Sequence, residues 1–84
     1  MESRIAIIGI FVYEIKSARK INDLLHEYNH YIIGRMGIPY KDKQVSVISV
    51  IVDGPNDIIG ALSGKLGMVE GVSVKALYSK KENE

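Results

Sequence analysis

The sequence predicts an α+β fold with the element order β-α-β-β-α-β, and three observations carry that prediction. Residues 4–13 (RIAIIGIFVY) and 44–52 (QVSVISVIV) are dense in β-branched residues and too short for most helices, so they read as strands. Two other segments repeat apolar residues at helical spacing: Ile21, Leu24, Leu25 and Tyr28, then Ile58, Ile59, Leu62 and Leu66. Between these runs lie clusters of Gly, Pro, Asn and Asp that favour turns.

The first strand carries Ile5, Ile7 and Phe11 on one face and Ala6, Ile8, Ile10 and Val12 on the other. A strand apolar on both faces is covered on both faces. Ser17 fits the N-cap of a helix over about residues 18–30, whose single apolar stripe docks it on a sheet. Residues 31–38 form the second strand, interrupted by Gly34 and Gly37, which predicts a bulge or a close backbone approach. Pro39 has no N–H to give a ladder and is expected to end the regular pairing. Tyr40 to Lys43 make a polar turn, and Gln44 to Val52 make the third strand. There Val45, Val47 and Ile51 point one way and Ile48, Val50 and Val52 the other, so again both faces are apolar. Asp53-Gly54-Pro55-Asn56-Asp57 starts the second helix, with Pro55 suited to the first turn and Asp57 to the positive end of the dipole. Gly67 reads as its C′ residue, and Met68 to Tyr78 as the last strand, kinked at Glu70-Gly71.

Right-handed crossovers then place both helices on one face of a four-stranded antiparallel sheet, the ferredoxin-like arrangement. Two helices cover one face only, yet the strands are apolar on both. An open apolar face of that extent predicts that a second subunit's sheet packs on it, giving a homo-oligomer, a dimer or tetramer. Size points the same way, because 84 residues bury a modest share of their surface. We read residues 1–79 as a single domain and 80–84 (KKENE) as a disordered tail.

Composition removes several functions. With no cysteine there is no disulfide, thiolate zinc site or iron–sulfur ligation. Eleven basic against ten acidic residues lack the basic excess typical of nucleic-acid binding, so no direct nucleic-acid contact is expected. The apolar run from Ile5 to Tyr13 is too short to span a bilayer and no signal-peptide cleavage site follows it, so the expectation is a cytoplasmic chain with no membrane partner.

His26-Glu27-Tyr28-Asn29-His30 spells HExxH, a zinc signature in which His26 and His30 would be metal ligands. On a helix both His and Glu27 lie opposite the apolar stripe, facing solvent rather than a cleft, and a catalytic zinc needs a third protein ligand. A solvated helix face is the favoured reading, with adventitious metal binding by the pair as the alternative. Gly60-Ala61-Leu62-Ser63-Gly64-Lys65 falls short of a phosphate-binding loop, which needs four residues between its glycines and Ser or Thr after the Lys. Gly60, Gly64 and Gly67 instead make a smooth outer helix face. No Ser/His/Asp or Cys/His set can be assembled, so no enzyme and no cofactor is expected.

The most pointed candidate is Arg35, flanked by Gly34, Met36 and Gly37 in a strand, where a guanidinium beside open backbone suits a carboxylate or phosphate. The alternative is an interfacial ion pair with a neighbouring subunit, with Asp53 as its acidic partner unless Asp53 serves as a helix cap.

Tyr31-Ile32-Ile33-Gly34-Arg35-Met36-Gly37-Ile38-Pro39-Tyr40, followed by Ser46-Val47-Ile48-Ser49, Val52-Asp53-Gly54 and the run Ile59 to Gly67, resembles the small proteins called iron-only hydrogenase system regulators. That family is similar in fold to the metal-sensing C-terminal domain of the nickel-responsive regulator and to ACT domains. The resemblance implies sheets paired into dimers or higher oligomers, with effectors at the interfaces and Gly34, Arg35, Met36 and Gly37 as the family-typical stretch. It does not bring a nickel site, since these strands hold no His or Cys, nor a DNA-binding ribbon-helix-helix domain ahead of Met1. The expected role is a non-enzymatic regulatory domain that senses a small effector at subunit interfaces. The alternative is a protein-interaction or structural module without a ligand.

Overall fold

A computed structural model describes residues 3–80. Four strands, β1 (Arg4–Val12), β2 (Ile32–Tyr40), β3 (Val45–Gly54) and β4 (Val72–Tyr78), form one antiparallel sheet in the order β2-β3-β1-β4. Helix α1 (Ala18–Glu27) connects β1 to β2, and α2 (Asn56–Gly67) connects β3 to β4. This is the ferredoxin-like arrangement. Residues 81–84 of the expected tail lie outside the described residues.

The two-faced strands resolve as their alternation predicts. On β1, Ala6, Ile8, Ile10 and Val12 are buried while Ile5, Ile7 and Phe11 are exposed; on β3, Ile48, Val50 and Val52 are buried while Ile51 is exposed. The buried set meets Ile21, Leu25 and Tyr28 of α1 and Ile59, Leu62 and Leu66 of α2 in one core. Each side chain removed from water there contributes about 1.5–3 kcal/mol, and this layer holds the helices to the sheet.

Several boundaries differ from expectation, each for a local reason. Ser17 does not cap α1: it sits in helical conformation inside a 3-10 turn, Ile15–Ser17, and its Oγ donates instead to the Glu70 carbonyl at 2.7 Å. The first helix stops at Glu27 rather than residue 30. Tyr28 leaves helical geometry, and Asn29–Tyr31 form a 3-10 turn that brings the Tyr31 ring against Gly54, where an ideal Cβ would stand 3.0 Å from Tyr31 Cδ1. Pro39 does not end the pairing; it faces Ser46 in the ladder, and Tyr40 faces Val45. β2 is an edge strand, where alternate N–H groups have no ladder partner and a proline is tolerated.

The bulge predicted in β2 exists but falls at Ile33, between the pairs Ile32↔Val52 and Gly34↔Ile51. Strand β3 continues through Asp53 and Gly54, because Ile5 and Arg4 of β1 pair with them. Pro55 is the N-cap of α2 rather than a first-turn residue. Nor is Gly67 a left-handed C′ residue. The helix tightens instead, with Met68 N–H donating to the Lys65 carbonyl and Val69 N–H to that of Leu66, which carries Val69 into the core. The left-handed glycine is Gly71, at φ +71, and β4 begins only at Val72.

Candidate functional site: the open face of the sheet

Residues paired directly across an antiparallel ladder share a face, so the register shows what the helix-free side presents. One row runs Gly34, Ile51, Ile7, Leu77; the next Met36, Ser49, Gly9, Lys75; the next Ile38, Val47, Phe11, Ser73. Tyr40 and Val45 close the face at one end and Ile5 and Asp53 at the other. Large apolar side chains dominate, and they are open to solvent: Leu77 is 69% exposed, Met36 63%, Ile38 52% and Ile5 48%. Scattered apolar residues on a surface need no explanation, but a contiguous sheet of them marks an interaction site. Among the described residues the face carries one carboxylate, Asp53, at a corner and one ammonium, Lys75, on the edge strand β4. Gly9 and Ser49 sit side by side at its centre, where small residues let an opposing surface approach closely.

The stretch singled out from sequence is divided by the sheet. Gly34 and Met36 lie on the open face; Arg35 and Gly37 lie on the helix side, opposite Val50 and Ile48. The bulge causes this, since the extra residue at Ile33 reverses which side every later residue of β2 takes. Arg35 reaches α1, where its Nη2 donates to Asn22 Oδ1 at 2.8 Å. Asp53, on the open face beside Ile5, is on the other side of the sheet from Arg35, so the two do not meet within one chain. Nor is Asp53 the helix cap, a position held by Pro55.

His26 and His30 are both exposed, and they do not share a regular helix: His26 is in the last turn of α1 and His30 in the following 3-10 turn, its ring edge-on to Tyr31 at 5.5 Å. Among the described residues no group of three His, Cys, Asp or Glu side chains is placed to hold a metal ion. Added Cβ atoms at Gly60 and Gly64 would meet nothing within 4 Å, so the outer face of α2 is smooth and open. Among the described residues no helix is long and apolar enough to cross a membrane.

Leu77 and Lys75 of β4 join the open face without having been singled out from the sequence. Their signal there is the alternation Ser73, Lys75, Leu77 against Val72, Val74, Ala76, which shows only when the strand starts at Val72 rather than Met68.

Comparison with known proteins adds to the geometry. No curated protein matches the sequence. Among solved structures, uncharacterized protein TM1266 from Thermotoga maritima is 40% identical and superposes with a TM-score of 0.90, over 94% of this chain and 100% of that one. A formyltetrahydrofolate deformylase from Pseudomonas putida KT2440 superposes with a TM-score of 0.62 at 13% identity, over 87% of this chain but 28% of the deformylase. That likeness is one of fold alone. A family model described as "TM1266-like: Iron-only hydrogenase system regulator, putative" matches residues 4–76, and the chain belongs to that family.

Proposed function

We propose that this chain is a non-enzymatic regulatory domain of the iron-only hydrogenase system, working as a homo-oligomer paired through the open face of its sheet and sensing a small effector. One observation carries the reading: a whole sheet face of Ile5, Ile7, Phe11, Ile38, Ile51, Met36 and Leu77 is left uncovered by the chain's own helices. Covering it with a second copy removes that surface from water at about 25 cal/mol per Å² and compensates for the small core of one chain. An apolar surface whose charged groups, among the described residues, are Asp53 and Lys75 at its margins suits association rather than general acid–base chemistry.

Sedimentation velocity at micromolar concentration tests the pairing. A dimer or tetramer is expected, and Ile7→Lys, at the middle of the face, should yield a folded monomer with an unchanged far-ultraviolet circular dichroism spectrum. A wild-type chain that sediments as a monomer overturns the proposal.

A further inference from the structure

We propose that the cleft between the β1–α1 connection and the β2–β3 turn binds a small organic anion, a carboxylate on an apolar body, and is where the effector acts. This rests on the effector-sensing reading above and moves its site away from Arg35. Two concavities of ≈ 380 and ≈ 290 Å³ at this end of the sheet share Ile15, Lys41 and Gln44 in their linings, so they adjoin within a single chain and are treated together as one cleft. That size matches small-molecule sites, which run from roughly 300 to 1,000 Å³ and combine apolar walls with a few polar groups.

The chemistry of the lining selects the ligand. Tyr13, Tyr40, Val45 and Ile15 supply apolar wall, and Ile15, 89% exposed, has no core to belong to. Lys16 and Lys41 supply two ammonium groups against one carboxylate, Glu14. Lys16 stands 3.9 Å from Glu70, but both side chains are largely exposed and such pairs are weak, so the ammonium can turn to a bound anion. Lys41 makes no ion pair among the described residues.

Backbone geometry marks the same place. Gln44 is in the left-handed region, φ 53 and ψ 46, a conformation that costs a non-glycine residue about 1 kcal/mol. Glycine or asparagine would adopt it more readily, yet the residue here is a glutamine that lines both concavities, with an amide able to donate to a carboxylate. The opposite wall is held in place: Tyr13 N–H donates to the Gly71 carbonyl at 2.8 Å, and Ser17 Oγ to that of Glu70 at 2.7 Å. A wall pinned before binding loses little entropy on binding. Tyr40 and Val45 belong both to the cleft and to the open face, so a ligand there touches the surface through which copies would pair, and occupancy can bias assembly.

The test titrates the ¹⁵N-labelled full chain with phenylacetate and hexanoate, and with the neutral phenylacetamide and hexanamide as controls. The carboxylates should shift the backbone amides of residues 13–16 and 41–46 saturably, and the amides should bind at least about fivefold more weakly. Lys41→Gln should weaken carboxylate binding by a similar factor while leaving the rest of the spectrum in place. Gln44→Gly should raise the melting temperature by relieving the strain and should weaken binding. No saturable shift, equal shifts from acid and amide, or shifts spread along the open face would overturn the proposal. Sedimentation of the same samples separates the two readings. A monomer that binds phenylacetate in the cleft leaves this site standing and removes the pairing, and an assembled protein that binds neither carboxylate does the reverse.

Discussion

At Gly71 the backbone turns through φ +71, and an ideal Cβ would stand 2.5 Å from Glu14 Cγ and 2.8 Å from Glu14 Cβ. Two costs therefore coincide, a left-handed conformation for an L side chain and a clash with the neighbouring connection. Gly71→Ala should lower unfolding stability by about 2–4 kcal/mol, read from the urea midpoint at unchanged slope. Gly64, inside α2 with open space where its Cβ would be, should respond in the opposite direction: Gly64→Ala is expected to raise stability by about 0.5–1 kcal/mol. The contrast checks that Gly71 is required by its backbone and Gly64 is tolerated on a free surface. In the sequence both are simply glycines near helix signals. Gly67 was the better candidate for the left-handed position, and the winding of the last turn of α2 left it helical.

At the scale of elements, the chain's long-range fastenings lie where sequence rules predicted local ones. Ser17 illustrates this: a serine just ahead of an apolar helix reads as an N-cap, but its hydroxyl is buried against the Glu70 carbonyl 53 residues away, joining the β1–α1 connection to the turn before β4. Ser17→Ala should cost about 1–2 kcal/mol, because it strands a part-buried carbonyl, and its denaturation midpoint should fall accordingly. Arg35→Ala removes an exposed bond to Asn22 and should change stability by less than about 0.5 kcal/mol. Helix identity was legible from apolar residues repeating every 3.6 positions, and strand identity from short runs dense in β-branched residues. The placement of the bulge was not. Placing it at Gly37, beyond Met36, would exchange the faces of Arg35 and Met36 without changing any residue's preference for a strand, so no local pattern could decide which of them meets the helices.

For the whole molecule, the balance between its two sheet faces governs behaviour. One is closed by α1 and α2; the other presents a continuous apolar surface, which the family's match over residues 4–76 includes almost entirely. If copies pair there, folding and assembly are linked and thermal stability depends on concentration. For a paired dimer the melting temperature should rise by about 4 °C for each tenfold increase in protein, whereas a monomer's would not move. Calorimetry over two decades of concentration checks this, and Ile7→Lys should abolish the dependence. The same variant retains its own core, because Ile7 is no part of the layer beneath the helices.

By itself the sequence determined the class of fold, the order of elements, the division of β1 and β3 into two apolar faces, the apolar stripes of the two helices, and the excess of apolar surface over what two helices can cover. These follow from local preference and from periodicity, both written residue by residue. The tertiary structure alone decided which strand face the helices bury, the bulge at Ile33, the left-handed turns at Gln44 and Gly71, and the meeting of Lys16, Lys41 and Gln44 in one cleft. Each of those depends on chain segments far apart in sequence competing for the same space, and the outcome of that competition is not encoded in any one segment.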